Sequence, residues 1–154
     1  FEQFVNTSRT SRALLNCTPL QAMSFKGTST NPDENLRLQA LHPHIEYLAR
    51  GSVTFTEIDN WPTHSMLRLV TGTMTIGTEV SKDIDLERVL GRIRKQAQEK
   101  EKEATRLQSR LSSKNFTEKA EPSVIEESES RLQKLTQELI LLRSSEQQIS
   151  SILG

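Results

Sequence analysis

Apolar side chains recur every three or four positions along the second half of the chain. The spacing alternates between four and three residues from Leu86 to Leu111, and the same alternation returns from Ile125 to Leu153. This is the period of a helix that packs along another helix in a coiled coil. The pattern predicts two long helices whose contact line, the seam, consists of Leu86, Leu90, Ile93, Ala97, Lys100, Ala104, Leu107 and Leu111 in the first helix and Ile125, Ser128, Leu132, Leu135, Leu139, Leu142, Glu146, Ile149 and Leu153 in the second.

The segment between these two runs is short and has no apolar periodicity. It covers residues 112–122 and ends at Pro122, which suits the first turn of a new helix because a proline there costs no helical hydrogen bond. A connection of this length makes the two helices antiparallel neighbours. Residues 83–154 therefore predict a long antiparallel two-helix coiled-coil hairpin with its turn near residues 112–122.

The first half of the chain alternates between helical and strand-like patterns. Apolar residues lie near helical spacing in residues 1–15, and a second helical pattern runs from Leu36 to Ala49 and ends at Gly51. Residues 26–35 are polar and predict a loop. Strands are predicted where apolar and polar residues alternate, which occurs in residues 20–25, 52–58, 66–70 and 73–80.

These elements divide the chain into three parts. Residues 1–15 are interpreted as the end of a helical domain, residues 16–82 as a small β-α-β-β domain, and residues 83–154 as the hairpin. The predicted fold class is therefore α+β. Because a sheet of so few strands is not stable alone, we expect the first helix and the root of the hairpin to brace it.

Charge and composition restrict the possible partners. The 20 basic and 20 acidic side chains give a formal net charge of zero, so a nucleic-acid surface has to be a local basic patch. No apolar run approaches the ~20 residues that cross a bilayer, and we expect no membrane partner. The single cysteine, Cys17, cannot form an internal disulfide, which favours a reduced compartment.

A local basic patch is present at the start of the first long helix. Four basic residues and no acid occur there, and three of the four share one helical face because they are spaced by four and three. Arginine and lysine on such a face can neutralise the phosphates of an RNA backbone. The alternative is a solvated face that forms ion pairs with Glu126, Glu127 and Glu129. The predicted RNA-binding residues of this patch are Arg88, Arg92, Arg94 and Lys95, with Arg94 off the shared face.

A second basic group surrounds the predicted turn. Arg110, Lys114 and Lys119 are predicted RNA contacts, and Arg106 precedes them along the helix. Phe116 either stacks on a nucleotide or, as we favour, caps the apolar seam. Residues 99–103 alternate in sign and are interpreted as ordinary solvent-facing surface.

The residues that carry chemistry do not form a catalytic or metal-binding pattern. His42 and His44 lie two positions apart without a third ligand nearby, and His64 stands alone, so a zinc site is not predicted. Cys17 has no sequence partner that would activate it as a nucleophile. No Gly-rich phosphate loop occurs in the sequence. We expect that this chain alone catalyses no reaction and carries no cofactor or metal.

The residues at the turn and at the entry to the hairpin indicate a family. The segment from Arg110 to Ala120, followed by Val124-Ile125-Glu126, resembles the tip of the C-terminal coiled-coil arm of valyl-tRNA synthetases. The entry, Ile84-Asp85-Leu86-Glu87, is similar to the step that opens this arm. The resemblance extends over residues 13–153.

The resemblance implies a function. In this family the arm contacts the outer corner of valine tRNA, near its elbow, while a distant catalytic domain activates the amino acid. The chain is then expected to be the C-terminal tRNA-binding appendage of a cytoplasmic or mitochondrial valine–tRNA ligase, with tRNA as its partner. Arg9 and Arg12 are expected in place of the basic pair of the family's helical anticodon-binding domain.

Two alternatives remain open. A stand-alone, non-catalytic paralogue would bind ribosomal RNA or proteins as a structural component of an organellar ribosome or another ribonucleoprotein, although the zero net charge argues against deep burial in RNA. A plain protein–protein coiled coil is the other alternative. Its seam contains Ser128 and Glu146, which would make the pairing tolerant rather than tight.

Overall fold

The computed structural model describes residues 1–154 and divides them into two compact units. The first unit comprises residues 1–90 together with residues 147–154, and the second comprises residues 91–146. In chain order the elements are α1 (Glu2–Leu14), β1 (Ser24–Ser29), α2 (Pro32–Ala40), α3 (His42–Ala49), β2 (Ser52–Phe55), a 3-10 turn (Ile58–Asn60), β3 (Met66–Thr71), β4 (Met74–Glu79), α4 (Leu86–Ser112), α5 (Lys114–Lys119) and α6 (Pro122–Leu153).

The first unit is built on a four-stranded mixed sheet with the strand order β2-β1-β4-β3. β1 and β2 pair in parallel, and the other neighbours pair antiparallel. The parallel pair requires a crossover connection, which α2 and α3 provide, whereas β3 and β4 are joined by a tight turn at Gly72 (φ 58°). The predicted α+β class is confirmed: six helices accompany this sheet.

The helix predicted from Leu36 to Ala49 is wrong in extent, because the structure has two helices there. α2 begins earlier, at Pro32, since the side chain of Asn31 accepts a hydrogen bond from the backbone N–H of Asp33 (3.0 Å) and caps the helix. α3 follows with Pro43 in its first turn. A proline lacks the N–H needed to continue the hydrogen bonds of α2, so one helix ends and the next begins at Leu41.

The polar loop predicted for residues 26–35 is also wrong at its start, because β1 extends through Ser29. The side of this strand that faces the core contains Phe25, Gly27 and Ser29, which are buried, whereas the residues between them are half-buried. A Cβ at Gly27 would lie 2.5 Å from the ring of Phe4 in α1. Glycine therefore lets α1 lie close against the sheet, which is the bracing expected from the sequence.

A buried arginine holds the carboxyl ends of α1 and α3 together. Arg12 is only 7% exposed. Its guanidinium donates hydrogen bonds to the carbonyl oxygens of Thr18 (2.7 Å), Gln21 (2.8 Å), Ala49 (3.1 Å) and Arg50 (2.8 Å). The last carbonyls of a helix lack partners within it and carry partial negative charge, so a cation is favourable at this position. Arg12 is thus a structural clamp rather than half of an exposed basic pair.

The edge of the sheet at β3 is closed by the end of α6. Gln148 Oε1 accepts a hydrogen bond from the backbone N–H of Arg68 (2.7 Å), and Gln148 Nε2 donates one to the carbonyl of Arg68 (2.8 Å). The amide side chain thus satisfies two backbone groups that an edge strand otherwise exposes. This is the second brace expected from the sequence, at the root of the long helices.

The second unit contains most of α4 and α6 and the short α5. Within residues 91–146 every predicted seam position is buried or half-buried, and Ile93, Ala97 and Leu135 are fully buried (0% exposed). The predicted turn contains a helix, α5, between Ser113 and Ala120. α6 begins at Pro122, as its proline predicts. No helix of the chain is both long and apolar enough to cross a bilayer.

The clamp at Arg12 predicts a large loss of stability on substitution. We expect Arg12→Met to lower the free energy of unfolding by about 3 kcal/mol, because it leaves buried carbonyl oxygens without donors. Arg9→Met changes an exposed arginine of the same helix and is expected to cost about 0.5 kcal/mol or less. Urea unfolding followed by circular dichroism measures both, and equal losses for the two variants would show that Arg12 is not a clamp.

Candidate nucleic-acid interface

Ion pairs join α4 and α6 in the second unit. As residue numbers rise along α4, the numbers of their partners fall along α6, with one local exception, so the helices run antiparallel. This direction was predicted from the short connection. The pairs are Arg94 with Glu146 (2.9 Å), Lys100 with Glu138 (2.6 Å), Glu101 with Arg143 (2.9 Å) and Glu103 with Arg131 (2.9 Å).

This arrangement determines the partner of Arg94. Its Nε donates to Glu146, whereas Glu126–Glu129, the alternative partners predicted for the patch, lie at the other end of α6. The pairing predicted with those glutamates is therefore wrong for Arg94, because an antiparallel helix brings its carboxyl-terminal part to the beginning of α4. Sequence reasoning had the direction of the helices but not their register.

Glu146 is the centre of a small network. Its carboxylate accepts hydrogen bonds from Arg94 and from Arg143 (3.1 Å), and Arg143 also donates to Glu101 (2.9 Å). The hydrogen bonds from Arg94 and then Arg143 lower the pKa of Glu146. A glutamate at a seam position is tolerated here because two arginines satisfy it.

Lys100 occupies the seam and ends in an ion pair. The side chains of Lys100 and Glu138 are each 31% exposed, and Lys100 Nζ lies 2.6 Å from Glu138 Oε2. The expected position of Lys100, with its stem along the seam and its amine at the rim, fits this contact. The hydrogen bond from Lys100 lowers the pKa of Glu138.

The other predicted residues of the basic patch differ in availability. Arg88 belongs to the first unit, is exposed, and has its backbone N–H capped by Asp85 Oδ1 (3.2 Å). Arg92 is half-buried and has interactions of its own within the protein. Lys95 is exposed and takes part in none of the ion pairs. Of the predicted residues Arg92, Arg94 and Lys95, Lys95 is the one that is exposed and not engaged by another side chain of the protein.

At the turn, the structure brings Arg110 and Phe116 together. The Arg110 guanidinium lies 5.5 Å from the centre of the Phe116 ring, a cation–π distance, and Phe116 is half-buried. One side of the ring is therefore covered by a residue of α4. Lys114 and Lys119 are exposed and lie at the two ends of α5.

A line of basic residues follows the side of α4 opposite the seam. A helical residue two positions after a seam residue lies about 200° around the helix, so it faces outward. In the second unit these positions form what we term the outer stripe. Arg92 is half-buried and the other members are exposed. The outer stripe consists of Arg92, Lys95, Glu99, Lys102, Arg106 and Ser109.

Lys102 was not among the predicted RNA contacts, and Arg106 was named only as preceding the group at the turn. Lys102 lies in the run of alternating charge. The run does not show that Lys102 faces outward, because consecutive residues of a helix face different directions. The offset of two residues from the seam would have found both, since it needs only the sequence. The same offset along α6 in this unit gives one acid, one base and four uncharged residues: Glu127, Ser130, Lys134, Gln137, Leu141 and Ser144. The two outer sides of the helix pair thus differ in charge.

His42 and Cys17 have structural surroundings, whereas His44 and His64 are exposed. His42 Nε2 lies 2.7 Å from the carbonyl oxygen of Val53 and its ring lies edge-on to Phe55, so it ties α3 to β2. Cys17 is buried, and its burial raises the pKa of the thiol. His, Cys, Asp and Glu side chains form no group of three or more that could hold a metal ion.

Comparison with known proteins connects this geometry to a family. Residues 83–150 match the family model described as the valyl tRNA synthetase tRNA binding arm. The chain is also 27% identical, over 128 residues, to the valine–tRNA ligase of Prochlorococcus marinus (strain MIT 9313). That match covers 83% of this chain and 14% of the ligase, so the chain spans a small part of its relative.

Residues 83–150 are thus similar to the tRNA-binding arm of valyl-tRNA synthetases. The resemblance predicted from the turn and entry residues is thereby confirmed, and the ligase match extends it over most of the chain. We refer to residues 83–150 as the arm. The arm contains α4, α5 and all but the end of α6.

The ion pair of Lys100 predicts a specific dependence of stability on pH. The contribution of the pair is present above the pKa of an unfolded glutamate, about 4.3, and is lost as the pH falls through the lowered pKa of Glu138. Wild-type protein should therefore lose about 0.2–1 kcal/mol of stability relative to Lys100→Met between pH 7 and pH 3.

Chemical denaturation at the two pH values measures this difference. Lys95→Met is the matched control, since Lys95 is exposed and has no ion pair in the structure. Its stability difference from wild type should not change with pH. If Lys100→Met also stays parallel to wild type at both pH values, the pair contributes nothing.

Proposed function

We propose that this chain is the C-terminal part of a valine–tRNA ligase and that its arm binds tRNA. The match of residues 83–150 to the tRNA-binding arm family carries this proposal. The 14% coverage of the ligase is consistent with an appendage to a much larger enzyme. The ligase activity belongs to that larger enzyme in this proposal, and the chain contributes binding.

The arm is proposed to be an antiparallel coiled-coil hairpin. Within residues 91–146 every predicted seam position is buried or half-buried, and this burial and the ion pairs between α4 and α6 support this packing. A rigid rod of this kind can hold a large RNA by its backbone without reading its sequence, because phosphate contacts set position and orientation. The arm is proposed to contact the tRNA near its elbow and to position it for aminoacylation.

The proposed contacts are the basic residues at the start of α4, followed by those at the turn. Arg88 and Lys95 are exposed and supply most of the contact in the first group, whereas Arg94 is held by Glu146. An arginine already bound to a carboxylate must give up that pair to bind a phosphate, so it contributes less. Arg110, Lys114 and Lys119 are proposed as the second group.

The alternative of a stand-alone component of a ribonucleoprotein is not favoured. The family match and the curated relative both concern valyl-tRNA synthetases. Specificity for valine tRNA and a cytoplasmic or mitochondrial location remain parts of the proposal that follow from the parent enzyme.

Binding of the chain to valine tRNA at increasing salt tests the proposal. Changing Arg88, Arg92, Arg94 and Lys95 together to alanine should weaken binding and reduce the slope of log affinity against log salt by about two to three, because each lost phosphate contact removes close to one unit. Fluorescence anisotropy of labelled tRNA provides the affinities. Among the single variants, Lys95→Ala should cost more affinity than Arg94→Ala.

The control variant keeps the positive charge of the patch and changes only the hydrogen-bond donors that carry it. A variant with the three arginines replaced by lysine should retain most of the salt slope, since it still neutralises phosphates. Failure of the wild-type chain to bind tRNA even at low salt would refute the proposed function.

A further inference from the structure

We propose that the RNA surface of the arm continues along α4 to Lys102 and Arg106 and that it recognises the backbone of double-helical RNA. This inference rests on the proposed function and extends it in two respects. It adds Lys102, which the sequence patterns did not select, and it assigns Arg106, which they named only as preceding the turn, to the same surface. It also names the kind of RNA that the surface fits.

Three basic side chains of the outer stripe are available to an anion. Lys95, Lys102 and Arg106 are exposed on the outer stripe and take part in none of the ion pairs of the structure. From Arg92 to Arg106 the stripe extends roughly 21 Å along the axis, at about 1.5 Å per residue. It is therefore long enough to meet several phosphates in succession.

The two acids that flank Lys102 in sequence are bound by arginines of α6. Glu101 is bound to Arg143, and Glu103 forms two hydrogen bonds with Arg131, from Nε to Oε1 (2.9 Å) and from Nη2 to Oε2 (3.1 Å). Both carboxylates are thus directed toward α6 and neutralised there. Within this run of alternating charge, Lys102 therefore lies on the outer stripe, and Glu101 and Glu103 lie at the interface with α6.

One acid, Glu99, remains on the outer stripe. It is exposed and has no ion pair in the structure. A carboxylate between Lys95 and Lys102 repels a phosphate backbone and lowers its affinity. The stripe is basic in spite of Glu99, and removal of this charge offers a test in the direction of tighter binding.

The choice of double-helical RNA follows from the side chains that are missing. Proteins that hold single strands stack the bases on aromatic rings. In residues 91–146 the one aromatic residue is Phe116, which is half-buried and covered by Arg110 at the turn. The outer stripe therefore offers charged donors for phosphates and no platform for bases, which fits a duplex whose bases are paired.

The experiment measures affinity for tRNA, for a blunt RNA duplex and for a single strand of the same length. Lys102→Ala/Arg106→Ala should lower the salt slope by about two, so that the ratio of affinities at 50 and 200 mM salt falls about tenfold. Glu99→Gln should raise affinity. Lys134→Ala, an exposed lysine on α6, is the matched control and should bind like wild type. The duplex should bind more tightly than the single strand.

A second pair of variants tests whether Arg131 neutralises Glu103. Arg131→Ala releases Glu103 and should weaken binding, and the further change Glu103→Gln should restore it. Recovery shows that Arg131 acts through Glu103 as a positioning residue. If the double variant stays as weak as the single one, Arg131 contacts RNA itself and the described role of Glu103 is wrong.

The outcomes separate this inference from the proposed function. Suppose that wild type binds tRNA, that the quadruple alanine variant of Arg88, Arg92, Arg94 and Lys95 binds more weakly, and that Lys102→Ala/Arg106→Ala binds like wild type. The proposed function then stands, and the extension of the RNA surface to Lys102 and Arg106 is overturned. A preference for the single strand overturns the assignment of double-helical RNA. Absence of any tRNA binding by wild type refutes both. Glu99, Lys102 and Arg106 are exposed, so unchanged thermal midpoints are expected for the variants at these three positions.

Discussion

The antiparallel register of α4 and α6 determines which charges of the arm remain available to a partner. Two helices with many charged residues become sorted once they lie side by side, because residues at the interface find opposite charges on the neighbouring helix. Glu101 and Glu103 are bound in this way, while Lys95 and Lys102 point outward. A chain with no net charge can thus present a basic surface.

The same principle applies to arginines that look alike in the sequence. Arg12 is buried against four carbonyl oxygens, Arg94 is held by a carboxylate, and Arg88 is exposed. Charge alone does not distinguish a structural clamp, an internal ion pair and a candidate phosphate contact. What distinguishes them is whether the protein already supplies the partner that the guanidinium needs.

Periodicity predicted the long helices and the seam between them, because apolar burial imposes a regular spacing on the sequence, and the short connection predicted their direction. The prediction failed where the buried residues are not apolar or where a proline interrupts a helix. β1 was missed beyond Phe25 because its inward residues include Gly27 and Ser29, and one helix became two at Leu41 because of Pro43. The partner of Arg94 required the register, which depends on contacts about fifty residues apart and cannot be taken from local pattern. Lys102 was accessible to sequence reasoning through its offset from the seam.

Lysine acetylation of the chain, free and bound to valine tRNA, tests the central claim that RNA lies on the outer side of α4. Three exposed lysines report on the two sides of the helix pair: Lys95 and Lys102 on α4, and Lys134 on α6. We expect tRNA to protect Lys95 and Lys102 from the reagent and to leave Lys134 as reactive as in the free protein. Protection of Lys134 with no protection of Lys95 and Lys102 would contradict it.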